Sequence, residues 1–165
     1  MCQLAGRICD GVMTNYANED TVSFISSNFF DGANSIGRDP TNLEVITKVR
    51  CSVNEDIEKA KSTLKTQMVY HILAEFYRDM FSKMGFAKEV AEVRDAYKSE
   101  GYKAAATHVP DAMLDQFSLV PATSVQELKT KIKKYEKVKA TRISIDYKPC
   151  TDDAEGEVTK LISEW

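Results

Sequence analysis

Five charged side chains fall inside the two most β-patterned stretches of this sequence, and they are the first candidates for chemistry. Leu43 to Val53 reads LEVITKVRCSV and Thr141 to Tyr147 reads TRISIDY. Alternate residues of a strand point to opposite faces. Val45, Thr47, Val49, Cys51 and Val53 therefore share one face, and Glu44, Ile46, Lys48, Arg50 and Ser52 the other. In the second stretch Ile143, Ile145 and Tyr147 oppose Arg142, Ser144 and Asp146. A cation buried without a partner is strongly destabilising. Lys48, Arg50 and Arg142 must therefore be solvated or paired with Asp146, meet a partner chain, or hold an anion.

Other chemistries find little support. Cys2, Cys9, Cys51 and Cys150 are far apart and form no CxxC pair. They read as four reduced, mostly buried thiols of a cytoplasmic protein, with no metal site. His71 lies near the apolar stripe of a helical stretch and reads as a packed or capping residue. His108, in the turn before Pro110, has no Cys or His neighbour for a metal site. The acid pairs Glu55-Asp56 and Asp152-Asp153 suit the first turns of helices. The lysines from Lys129 to Lys139, interspersed with acids, read as a solvated helix face. No Ser-His-Asp set, P-loop or GxGxxG is present, and no catalytic residue is assigned.

The elements that carry these residues alternate strand and helix. Ile8 to Asn15 (ICDGVMTN) reads as a short strand and Asn18 to Ile36 as a helix stopped at Gly37. After the strand Leu43 to Val53, Asn54 caps a long helix. Its stripe of Ile57, Ala60, Leu64, Met68, Ile72, Phe76 and Met80 runs to Gly85. A helix follows from Ala87 to Ser99, and shorter helical pieces, broken at Pro110, fill Tyr102 to Phe117. Ser124 starts another helix, with Val125, Leu128, Ile132 and Tyr135 on one face. Thr151 caps a last helix striped by Ala154, Val158, Leu161, Ile162 and Trp165.

Strands joined by helices run parallel. The 165 residues therefore predict one α/β domain over residues 1–165, with about three parallel strands and a long helical insertion. Three strands with one polar face suit an arc of a barrel, since a complete (β/α) barrel takes eight strands and about 250 residues. A net charge of −3 with dispersed cations predicts no nucleic-acid partner. No apolar run reaches the ~18 residues of a membrane helix, and no signal peptide is expected at the N-terminus.

Several segments resemble one family. LAGRICDGVMTN (Leu4 to Asn15) is similar to the "lAGeiADGvllN" segment of luciferase-like oxidoreductases, and IGRDPTNLEV (Ile36 to Val45) to their "GRDpsdlev" turn. NEDIEKAKSTLK resembles the "-EDEEKARAxxK" opening of their long helix, and HVPDAMLDQFSLV (His108 to Val120) their "vpDEMLDxFxlv". YEKVKATRISI (Tyr135 to Ile145) falls where the family has a helix, an "aGv" turn and its last barrel strand. The matches keep family order and run nearly end to end. The wording most resembles the methylenetetrahydromethanopterin reductase branch, which uses the deazaflavin coenzyme F-420; FMN-dependent relatives are the alternative.

The resemblance implies a partial TIM barrel with its cofactor at the C-terminal strand ends, and hydride transfer to or from a small substrate. It also implies that counterparts of the first five strands, which carry most ring- and substrate-handling residues, are absent. Activity would then require a separate N-terminal-half polypeptide, whereas a homo-oligomer formed through the open sheet belongs to the non-catalytic reading. The alternative is a non-catalytic shortened barrel acting as an oligomerisation or interaction module. At the strand ends, Thr14, Asn15, Tyr147 and Lys148 are the candidates to touch coenzyme F-420 or FMN. The loop from Asp146 to Asp153 has no glycine, and Asp152, Asp153 and Glu155 repel a phosphate, which Lys148 alone would attract. The family's "GTp" and "aGv" turns appear as Ala122-Thr123-Ser124 and Val138-Lys139-Ala140, which weighs against an unchanged cofactor site.

Overall fold

A computed structural model describes all 165 residues. Its organising element is β2, Glu44–Val53, the longest strand. The first half of β2 pairs in parallel with β1, Gly11–Thr14, in the register Val12↔Val45 and Thr14↔Thr47. The second half pairs in parallel with β3, Leu119–Ala122, in the register Leu119↔Arg50. The carbonyls of Asp10, Ser118 and Ala122 accept from the N–H groups of Glu44, Arg50 and Asn54, so β1 and β3 lie along one edge of β2. The other edge takes β4, Arg142–Tyr147, also parallel, with Arg142↔Ile46 and Asp146↔Arg50. The sheet is open: β1 and β4 each pair only with β2.

The strand β3 adds one to the three placed from the sequence, within the expected arc of about three parallel strands. LVPA is only four residues long and contains Pro121, so it lacks the length and alternation by which strands are recognised. Pairing with β2 makes it a strand.

Helices cover the apolar sheet face. Helix α1, Cys2–Ile8, crosses α2, Glu19–Asn34, at glycines. A Cβ on Gly6 would meet the Phe29 carbonyl at 1.9 Å, and one on Gly32 would meet the Gln3 carbonyl at 2.1 Å. Val45, Val49 and Cys51 are fully buried under this layer and under α8, Val125–Ile132, and the 3₁₀ turn Lys133–Val138. Val125, Leu128, Ile132 and Tyr135 all face inward, as their spacing predicts. In the turn before β4, Lys139 stands where the family pattern has glycine, and it keeps the left-handed conformation at φ 63°.

The insertion between β2 and β3 forms its own core from α3 (Ile57–Leu73), α4 (Glu75–Phe81), α5 (Ala87–Glu100), α6 (Tyr102–Thr107) and α7 (Asp111–Gln116). Tyr16, just past β1, and Leu119 of β3 join this core. The single long helix expected to reach Gly85 breaks at Ala74, whose ψ of 131° is extended. Phe76 consequently leaves the stripe and is exposed. The expected caps also move: Asp56, rather than Asn54, caps α3 by accepting from the Glu58 N–H. Asp153, rather than Thr151, caps the last helix, α9 (Ala154–Glu164), by accepting from the Gly156 N–H. Of the stripe on α9 only Leu161 is buried; Val158, Ile162 and Trp165 are exposed. Among the cysteines only Cys51 is buried, while Cys9 is exposed, and all four are free thiols. No helix is long and apolar enough to cross a membrane.

Candidate functional site

The polar sheet face gathers its charges around one carboxylate. Register pairing puts Asp146 beside Arg50. Its carboxylate lies 3.1 Å from Lys48 Nζ, 3.4 Å from Arg50 Nε and 2.7 Å from Lys148 Nζ. Three cations thus share one acid, and the local balance is positive. Burial raises the Asp146 pKa, but hydrogen bonds from Lys148 and Lys48 outweigh it, so the acid titrates below its ordinary range. Arg142, the remaining strand cation, pairs instead with Glu44 at the far end of the sheet.

Arg50 is the most buried of these charges, at 5% exposure. Its guanidinium donates to Asn15 Oδ1 at 2.7 Å and lies over the Tyr16 ring, 4.2 Å from the centroid. The Asn15 amide donates in turn to the Tyr77 hydroxyl at 3.0 Å, tying the end of β1 to the helical insertion. Tyr16 is itself buried and adopts a left-handed φ of 54°, which is strained for a side chain with a Cβ. Its hydroxyl has no hydrogen-bond partner, and burial raises its pKa. The His71 ring stands edge-on to Tyr16 at 4.9 Å and to Tyr77 at 5.0 Å, with Nδ1 3.0 Å from the Gln67 carbonyl. Burial lowers the His71 pKa; the Gln67 contact opposes this, and Arg50, Lys148 and Lys48 reinforce it. The net shift favours the neutral ring.

The four residues selected from the sequence divide between the two faces. Asn15 and Lys148 join the cluster, linked through Arg50 and Asp146. Thr14 points to the helix layer, where it and its register partner Thr47 are buried with unpartnered hydroxyls. Tyr147 also faces the helices, and its hydroxyl donates to Glu157 at 2.7 Å. Tyr16, Tyr77 and Glu157 were missed by sequence reasoning, while His71 is packed against aromatic rings, as its place near the helix stripe predicts. Only strand alternation, which singles out Lys48, Arg50 and Asp146, could have signalled the cluster.

The arrangement suits an anionic or acceptor-rich ligand placed at the C-terminal strand ends, where α/β folds bind ligands. It resembles no metal site: no three His, Cys, Asp or Glu side chains converge.

The fold is shared with known oxidoreductases. The structure is similar to that of a coenzyme F420-dependent tetrahydromethanopterin reductase from Methanopyrus kandleri, with 19% identity and a TM-score of 0.77 over 99% of this chain and 48% of the reductase. It is also similar to an F420-dependent secondary alcohol dehydrogenase in complex with an F420–acetone adduct, with 18% identity and a TM-score of 0.63 over 98% of this chain and 44% of the dehydrogenase. At such identities the likeness is one of fold, an unclosed arc of a TIM barrel. The chain spans less than half the length of each. Residues 1–142 match the family model described as luciferase-like monooxygenase. With that match over most of its length, the chain belongs to the luciferase-like monooxygenase family.

Proposed function

We propose that this chain supplies the C-terminal strands of a flavin- or deazaflavin-dependent oxidoreductase barrel, and that Lys48, Arg50 and Lys148 hold the acceptor-rich edge of the cofactor. The observation that carries the reading is the surplus of positive charge around Asp146, on the sheet face that a closed ring would enclose. The unpartnered Tyr16 hydroxyl at the same strand end is a second feature that fits such a ligand. Coenzyme F-420 is the first candidate because both similar structures are named for it; FMN is the second.

When bound, such a cofactor supplies hydride transfer. The residues of this chain bind and orient. Asp146 offsets part of the mutual repulsion of the three cations. Asn15 fixes the guanidinium of Arg50, and Tyr77 fixes Asn15. The neutral His71 adds no charge to the cluster. The unpaired edges of β1 and β4 suit ring closure by an N-terminal-half polypeptide or by a second copy.

The test is optical. Purified protein titrated with coenzyme F-420 and then with FMN is expected to perturb one absorbance band saturably, and Arg50→Met to weaken that response at least tenfold. Spectra unchanged by the protein with both cofactors would defeat the reading for this chain.

A second reading, an interaction module without catalysis, is favoured by the apolar side chains exposed at both margins of the sheet. Leu4, Ile8, Met13 and Phe24 lie at one margin, and Val158, Ile162 and Trp165 at the other. Light scattering tests it: association relieved by Ile162→Glu supports this reading, and a strict monomer that binds no added partner removes it.

A further inference from the structure

TIM barrels commonly hold a phosphate on the loops after the last strands, at a helix N-terminus, with backbone N–H groups and hydroxyls as donors. The last strand of this chain is β4, and the loop to α9 does build a cradle of converging donors. Its contents come from the protein itself. Glu157, in the first turn of α9, turns its carboxylate back into the loop. Glu157 Oε2 accepts from the Tyr147 hydroxyl at 2.7 Å and from the Cys150 N–H at 3.0 Å, and Oε1 accepts from the Thr151 N–H at 2.7 Å and from the Thr151 hydroxyl. Four donors therefore meet one oxyanion, as they would meet a phosphate. The adjoining cleft, about 360 Å³, adds Glu55 and Glu164 against a single cation, Lys160.

We infer that Glu157 is a built-in occupant of this oxyanion cradle, so that the β4–α9 loop excludes phosphate, and that removing its carboxylate converts the loop into a site for a small external oxyanion. Two consequences follow. A phosphate-bearing ligand is then not held by the Tyr147, Cys150 and Thr151 donors of this loop. The carboxylate also has a structural role, tying α9 to the end of β4, and its deletion leaves four donors unsatisfied.

The probes are inorganic phosphate and formate, each compared with chloride at matched ionic strength. Glu157→Ala is expected to melt at a lower temperature than the wild type and to recover part of that loss with phosphate or formate, while the wild type responds to neither. Adding Tyr147→Phe to Glu157→Ala should shrink the recovery. A variant that gains nothing from either oxyanion over chloride would overturn the inference. If Glu157→Ala does not fold, the wild type still decides the matter through the amide resonances of Cys150 and Thr151 during a phosphate titration. Unmoved resonances up to high millimolar phosphate support a filled cradle; a saturable shift refutes it.

Discussion

Asp146 and His71 set the chemical character of the candidate site at the scale of single residues. Asp146 is the only acid among three cations, so replacing it by Asn leaves Lys48, Arg50 and Lys148 repelling one another, with Arg50 buried. Removing one partner of a buried charge set costs about 3–5 kcal/mol. Because Asp146 is partly solvated, Asp146→Asn is expected near the lower end of that range in urea unfolding. Lys148→Ala removes a cation from a surplus and should cost less than about 1 kcal/mol. Acid dependence follows from the shifted groups. His71 has a lowered folded pKa, so the unfolded chain takes up the proton first, and the stability held above pH 6.5 declines as pH falls below it. Asp146, Asp111 and Glu127 are also lowered, Glu127 to about 2, so their contributions are present above the ordinary carboxylate range and are lost below it. Unfolding free energies measured from pH 8 to pH 3 should therefore fall in two stages. His71→Gln should erase the upper stage and leave the lower one.

Element packing depends on two local features. The α1–α2 crossing has no room for a side chain at Gly32, where a Cβ would overlap the Gln3 backbone. Overpacking of this kind typically costs about 1–3 kcal/mol and more when backbone is the obstacle. Gly32→Ala is thus expected to lose at least about 3 kcal/mol, read as a drop in the urea midpoint with peeling of α1. Lys139 presents the opposite case. A residue with a Cβ in the left-handed region is disfavoured by about 1–2 kcal/mol, a penalty glycine avoids. Lys139→Gly gives up some unfolded-state entropy in return. A net gain of up to about 1 kcal/mol is expected, visible as a raised melting temperature; a loss would mean that the lysine side chain stabilises the turn.

The whole molecule has two main cores, one between the sheet and its helices and one inside the helical insertion. Leu119 connects them, because its strand pairs with β2 while its side chain packs in the insertion. Leu119→Ala should cost about 2–5 kcal/mol. It should also uncouple the cores, so that helix content by circular dichroism and tyrosine fluorescence no longer change together on unfolding. Coincident transitions in that variant would mean that β2 and the Asn15–Tyr77 hydrogen bond suffice to couple them.

The sequence by itself determined the parallel α/β plan, the two faces of β2 and β4, the apolar stripe of α8 and the family. Each is written in short-range periodicity or in motifs local to the chain. It also pointed to the charges of the polar face, because alternation needs only neighbouring residues. The tertiary structure alone decided the rest. LVPA became a strand through pairing with β2, and the long helix broke at Ala74. Arg50 met Asn15 and Tyr16 across the strand ends, and Thr14 paired in register with Thr47 on the helix-covered face. The Glu157 carboxylate turned back to accept from Tyr147, Cys150 and Thr151. These outcomes depend on contacts outside the reach of strand or helix periodicity, whose energies outweigh local propensity and leave no periodic trace in the sequence.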